Sequence, residues 1–229
     1  MIVIEPEIAR TAALFGDPVR ATMLIALLDN SPQSAGQLAF AANVSPQTAS
    51  FHLAKLTSAA LLSGERQGRH QVYRLAGQAV AHAIESLAAI GANDAAERRF
   101  RSERMQQLRR ARTCYDHLAG IAGVRLHDSL VQSGYLLVSG EKEYTLSGKG
   151  RDWLRSVGIE PMPARSRSPF VRPCLDWSER RSHLAGRLAA QLLEFFFKQG
   201  WIARVRDSRA VRITARGQRE FERQYGVNV

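Results

Sequence analysis

Cysteine is scarce in this chain. Only Cys114 and Cys174 occur in 229 residues, too few to frame a disulfide-stapled secreted fold. No apolar run approaches the roughly 20 residues a membrane-spanning helix needs. The N-terminus also lacks the basic-then-apolar pattern of a secretory signal. A cytoplasmic protein with reduced thiols and no membrane partner is therefore expected. Absent as well are a Ser/His/Asp arrangement, a phosphate loop, a dinucleotide fingerprint and HExxH, so the sequence does not read as an enzyme. A cysteine nucleophile with a His or Asp base in the second half is the one enzymatic alternative, and nothing beside it resembles an oxyanion hole. Acidic residues are few against basic ones, 21 to 32, and the net charge of +11 fits a polyanionic partner.

What is present is a reading helix. In NVSPQTASFHLAKLTSAALL (43–62), Ser45 stands where an N-cap belongs and Pro46 at the first helical position, where its missing N–H costs nothing. Ala49, Leu53, Leu56 and Ala60 recur at helical spacing as a buried stripe. Gln47, Thr48, His52 and Lys55 are expected on the other face, where side-chain donors and acceptors suit base edges and phosphates in a major groove. Upstream, 34–43 predicts a short helix with Leu38 and Ala42 inward and a turn at Asn43, which is helix-turn-helix spacing. Downstream, 61–75 predicts a β-hairpin turning at Gln67-Gly68, with Arg66, Arg69 and His70 near its tip. Such a hairpin is a wing that rides over the phosphate backbone or minor groove.

Three blocks, LFGDPVRATMLIALL (14–28), VSPQTASFHLAKL (44–56) and RQGRHQVYRL (66–75), occur in an order and spacing that resembles the ArsR/SmtB family of winged-helix repressors. The resemblance covers about residues 8–92. It implies a homodimer paired through the first helix and the helix after the wing (78–90), a palindromic operator in double-stranded DNA, and release by an inducer. Carried over by position, Ser45, Gln47, Thr48, Ser50, His52 and Lys55 become the recognition-helix residues, with Arg66, Arg69 and His70 for the wing. Phe51 stands where the family is often polar. The family's thiolate pair has no counterpart at 36–42, and the helix after the wing offers only His82 and Glu85, too few for a tight site on one chain.

Charge is unevenly spread. Residues 1–92 are neutral, 93–112 carry +4 and 113–229 carry +7. Either the C-terminal half also touches DNA phosphates, or its arginines are a solvated surface. Glu97 to Cys114 predicts a basic linker helix with Phe100, Met105, Leu108 and Ala111 on its apolar side.

The second half contains related segments. HLAG at 117–120 recurs at 183–186, 126–136 resembles 192–202, and 144–150 resembles 211–217. Two winged-helix-like units are expected, each reading helix, helix, Gly turn, two strands and closing helix, with Gly134 and Gly200 ending helices. A proline-rich connection (161–173) separates them. If equivalent residues meet, Cys114, Asp116 and His117 would face Cys174, Asp176 and His183. That donor mix suits zinc or another thiophilic ion, though the Cys-to-His spacing differs between the units. Plain structural roles and a redox pair are the other readings. Tyr115, Trp177, Phe196 and Trp201 are candidate walls of an effector pocket, against the simpler reading that a Phe run fills a core.

The expected fold is mainly α with small β-hairpin wings (α+β). Residues 1–92 would be a winged helix-turn-helix, 93–113 a linker helix and 114–229 an effector domain of units 114–160 and 174–229. The expected function is a sequence-specific DNA-binding transcriptional regulator, released by a metal ion or small-molecule effector. The alternative is a constitutive architectural DNA binder.

Overall fold

Hydroxyls, a carboxylate and two prolines start the N-terminal helices. In the computed structural model, which describes residues 5–68, 70–90, 103–138, 144–159 and 170–229, Asp17 Oδ1 accepts the Arg20 amide at 2.9 Å and Pro18 opens a helix behind it. Ser34 and Gln37 cap each other reciprocally, Ser34 N–H donating to Gln37 Oε1 and Gln37 N–H to Ser34 Oγ. Asn43, in the left-handed region at φ 53°, ends that helix and aims the chain into the next. The elements run α1 (Glu5–Phe15), α2 (Pro18–Ala26), β1 (Gln33–Ser34), α3 (Ala35–Ala42), α4 (Pro46–Ser58), β2 (Leu62–Gln67), β3 (His70–Leu75) and α5 (Gln78–Ile90). Strand order is β1-β3-β2, all antiparallel. Met23, Leu24, Leu27, Leu38, Leu53 and Leu56 form the core under α4. This is the expected winged helix-turn-helix. Two details differ: Ala60 lies beyond the end of α4, exposed at φ 54°, and Gln67 pairs with His70 inside the strands, so the turn begins at Gly68.

The chain divides into two compact units, residues 1–87 and 88–229. The second continues with α6 (Glu103–Arg110), β4 (Arg112–Cys114), β5 (His117–Ala119), α7 (Gly120–Gln132), β6 (Leu136–Val138), β7 (Tyr144–Leu146) and α8 (Gly148–Ser156). After these come β8 (Arg172–Leu175), β9 (Ser182–Ala185), α9 (Arg187–Lys198), β10 (Ile202–Arg204), β11 (Val211–Ile213) and α10 (Ala215–Tyr225). The linker helix ends at Arg110, and Met105 and Leu108 are buried rather than lying along a solvated connector. Phe100 and most of the proline-rich connection lie outside the described residues.

One order of elements, hairpin, helix, hairpin, helix, occurs at 112–156 and again at 172–225. Each set opens on a β-hairpin, not a helix. Neither has the helix pair a winged helix requires, and that expectation is corrected. The bonding at each second hairpin is the same. Ser147 Oγ donates to Gly134 O at 2.7 Å and accepts the Gly150 amide at 2.9 Å. Thr214 Oγ1 donates to Gly200 O at 2.7 Å and accepts the Gly217 amide at 2.9 Å. A Cβ on Gly150 would collide with the Tyr135 carbonyl, and one on Gly217 with that of Trp201, so only glycine lets either closing helix lie so near the strand behind it. Phe196, Trp201, Phe221 and Tyr225 pack together in the core that both sets share, Phe196 stacked on Trp201 and edge-on to Phe221.

Candidate nucleic-acid interface and Cys/His cluster

Ser45 caps α4, its Oγ accepting the Thr48 amide at 3.1 Å and lying 2.9 Å from Thr48 Oγ1. The helix buries Ala49, His52, Leu53 and Leu56. Gln47, Thr48, Ser50 and Lys55 are exposed as expected, although Ser50 Oγ donates to the Pro46 carbonyl at 2.9 Å. His52 is a correction. It is only 9% exposed, faces inward and sits with Nδ1 3.7 Å from Asp17 Oδ1, the cap of α2. The Arg20 amide holds that Asp17 carboxyl below the usual carboxylate range, so an anion faces the imidazole. His52 thus joins α4 to α2 instead of facing outward. Phe51 takes the opposite place: 58% exposed, it lies on the open stripe with Gln47, Ala54 and Ser58, and Lys55 Nζ stands 4.3 Å above its ring. On the wing, Arg66 is exposed with Nε 3.4 Å from Gly68 O, and His70 begins β3. Arg69 lies outside the described residues.

In the second unit the two hairpins that open each set bring their cysteines and histidines together. Cys114 is directly opposite His117 in β4–β5, and Cys174 directly opposite His183 in β8–β9. The Cys-to-His spacings differ because residues 115–116 close one hairpin and 176–181 the other. The cross-strand register is the same. One ligand atom from each of the four residues lies within 4.8 Å of every other. His117, His183 and Cys114 are buried, and Cys174 is partly so. No disulfide joins the cysteines. The donor set of two thiols and two imidazoles is one that could hold a metal ion.

Asp116 and Asp176 stand behind this cluster rather than in it. Asp116 Oδ1 is 3.1 Å from His117 Nδ1, with the carboxylate side chain largely in solvent. Asp176 Oδ2 is 3.2 Å from His183 Nδ1, at ion-pair distance but outside hydrogen-bond alignment. Asp176 is fully buried and saturated with donors. It accepts from both the amide and hydroxyl of Ser178, from the Gly120 amide at 2.7 Å and from Arg112 Nη2 at 3.1 Å to each oxygen. Burial opposes its charge, but Arg112, His183 and Ser178 outweigh burial and hold the carboxyl far below the usual range. Burial likewise lowers His183, yet Asp176 and Cys114 reverse the sign and the imidazole is raised. The Cys174 contact, with burial, pushes the Cys114 thiol up to about 11.

The aromatic pocket is also corrected. Phe196 and Trp201 stack at 5.3 Å inside the core, Trp177 is buried beside Arg112, and Tyr115 is exposed at the hairpin turn with φ 55°. Missed from sequence was a cavity of about 780 Å³ elsewhere in the unit, lined by Ile121 and Val211 and by Arg110, Arg125, Arg204 and Arg212. Its lining comes from five separated stretches, from Gln107 to Val229, which no local pattern reveals.

Residues 15–65 match the family described as helix-turn-helix domain. The chain is 41% identical over 225 residues to the HTH-type transcriptional regulator YdfF of Bacillus subtilis (strain 168), covering 98% of this chain and 99% of that protein. Similar solved structures include the transcriptional repressor BigR from Xylella fastidiosa (22% identity, 40% of this chain and 92% of that chain, TM-score 0.37). Another is the homodimeric winged helix-turn-helix DNA-binding domain of Mb0332 from Mycobacterium bovis (26% identity, 38% and 80%, TM-score 0.35).

Proposed function

Because the chain belongs to the family of HTH-type transcriptional regulators, with an ArsR-like winged helix-turn-helix as its DNA-binding part, we propose that it is an effector-released repressor. It binds a palindromic operator as a homodimer. The observation that carries this reading is the open stripe of α4, where Gln47, Phe51, Ala54 and Ser58 leave one helix face free to enter a major groove. Gln47 supplies donors and an acceptor for a base edge, Thr48 and Lys55 flank it, and the Phe51 ring suits a thymine methyl. Ser45 and Ser50 serve mainly to shape the helix start. Arg66 and Arg69 of the wing, with His70, take phosphates. Dimerisation through α1 and α5 is supported by uncovered apolar residues there, Ile8 on one and Leu87 and Ile90 on the other, Ile90 being 79% exposed. Two recognition helices one DNA turn apart then read the two half-sites.

The effector is a metal ion at the Cys/His cluster. Its binding biases the dimer away from the spacing the operator requires, and by linkage the operator weakens metal binding by the same factor. A second reading, an organic acid in the arginine-lined cavity, is favoured by the mix of apolar residues and arginines in its lining. Selection of duplexes from a random pool, followed by anisotropy titration, tests the DNA reading. Gln47→Ala should flatten discrimination at one base position by ~1–3 kcal/mol, whereas Arg66→Ala should weaken all duplexes alike. A long, sequence-insensitive footprint would instead mark an architectural binder. Discrimination untouched by Gln47→Ala and Phe51→Ala would overturn the assignment of the reading face.

A further inference from the structure

Each of the two buried imidazoles has a carboxylate behind it. His117 Nδ1 faces the Asp116 carboxylate at 3.1 Å, and His183 Nδ1 faces the Asp176 carboxylate at 3.2 Å. An anion at that distance calls for a proton on each Nδ1. The two Nε2 atoms then face one another across 3.1 Å. Two ring nitrogens so close need a cation between them, either a proton held as a hydrogen bond or a metal ion. The Cys114 and Cys174 sulfurs belong to the same group, in which one ligand atom from each residue lies within 4.8 Å of the rest. In a tetrahedral zinc site with Zn–N near ~2.05 Å, the nitrogen–nitrogen edge is about 3.3 Å, close to the separation observed.

We propose that Cys114, His117, Cys174 and His183 form a closed tetrahedral zinc(II) site joining the two hairpins, with Asp116 and Asp176 as positioning residues. Each hairpin contributes one directly opposed Cys–His pair. On binding, both thiols lose their protons, the four donors form two Zn–S and two Zn–N bonds, and two protons go to solvent. All four positions are filled by protein, which leaves none for an anion or a substrate. The site therefore reports through occupancy, by tying β4–β5 to β8–β9. Asp176 extends the tie, because the same carboxylate that orients His183 binds Arg112 in β4 and the Gly120 amide at the start of α7. This deepens the effector reading and rests on it only for the regulatory consequence; the coordination stands apart.

The test uses the full chain, stripped with chelator and titrated with zinc(II), then cobalt(II). One zinc per chain is expected, with two protons released. The cobalt form should show the intense visible bands of tetrahedral cobalt and a thiolate-to-cobalt charge-transfer band. Cys174→Ser should lose the charge-transfer intensity of one thiolate. Asp176→Asn should weaken zinc by ~10–100-fold while leaving the cobalt spectrum tetrahedral, as a positioning role requires. If a variant fails to fold, the stripped wild type still decides. Less than half a zinc per chain, a weak octahedral cobalt spectrum, or unchanged affinity in Cys174→Ser would overturn the site. Operator affinity measured in parallel on stripped and loaded protein keeps the two readings distinct. Equal DNA affinity with stoichiometric zinc sinks the effector role and spares the site; absent zinc with intact operator binding sinks the site and spares the DNA-binding reading.

Discussion

Replacing Arg112 with Met should cost the second unit more than any surface arginine could. Its guanidinium and the Asp176 carboxylate are both 0% exposed, with Nη2 3.1 Å from each carboxylate oxygen. Nη1 also donates to Leu108 O and Ser178 Oγ at 3.2 Å. Without Arg112 the Asp176 anion keeps its donors from Gly120, Ser178 and Glu179 but has lost its principal buried countercharge. Removing one partner of a buried pair costs about 3–5 kcal/mol, consistent with about 4 kcal/mol of attraction at a 4 Å charge separation and an effective dielectric of 20. Asp176→Ala should cost more, since it strands a buried guanidinium and takes the acceptor from three backbone amides. All three tryptophans, Trp153, Trp177 and Trp201, lie in this unit, so their fluorescence follows its unfolding in urea. With a slope of ~1–3 kcal/mol/M, the midpoint should fall by roughly 1 M or more. An Arg112→Met protein whose unfolding free energy is within about 1 kcal/mol of wild type, or an Asp176→Ala protein more stable than Arg112→Met, would refute this reasoning.

Gly217→Ala should destabilise by ~1–3 kcal/mol or more, because α10 must retreat from the Trp201 carbonyl; thermal melts alongside Gly150→Ala check whether the two positions respond alike. His52→Ala should lower the stability of the N-terminal unit and leave base discrimination unchanged, which duplex selection with a folding control reads. Burial lowers the His127 pKa despite Asp128 beside it, while its Nε2 lies 2.8 Å from the Tyr144 hydroxyl. A depressed imidazole contributes stability above its unfolded pKa of ~6.5 and loses it as pH falls through 6.5 toward the folded value, so His127→Gln should flatten the acid limb of a stability–pH curve. Ile90→Glu should shift the oligomeric state toward monomer in sedimentation without unfolding the unit.

The recognition module was legible because its signals are local. A cap, a proline and a 3.6-residue stripe act within a few residues of one another, and Ser45, Pro46, Ala49, Leu53 and Leu56 lie where the pattern puts them. His52 was misread for the same reason. Periodicity alone leaves a residue at the edge of the stripe on either side, and the Asp17 carboxylate that its ring faces comes from the start of another helix, which no local pattern shows. Phe51 shows the converse. Its apolar character argues for the core, yet three neighbouring leucines and alanines already fill that side and helical phase leaves it outside.

The cluster was half legible, and what hid the rest is a matter of loop length. Counted along the chain, Cys114 and His117 are three apart, Cys174 and His183 nine apart, and the mismatch argues against equivalent ligands. Counted across the strands, both pairs are the same, since a hairpin sets which residues face one another by register and absorbs any difference at its tip. The carboxylates were grouped with the thiols and imidazoles because they stand next to them in the sequence. Asp176 shares a hairpin with Cys174, but five hydrogen bonds from Ser178, Gly120 and Arg112 already occupy its oxygens. A carboxylate so satisfied has little left to offer an ion and much with which to hold a histidine. Spacing motifs therefore fail where ligands come from paired strands. There the informative quantity is the partner across the ladder, and the sulfur and nitrogen donors are found by asking which residues face each other before asking how far apart they are in sequence.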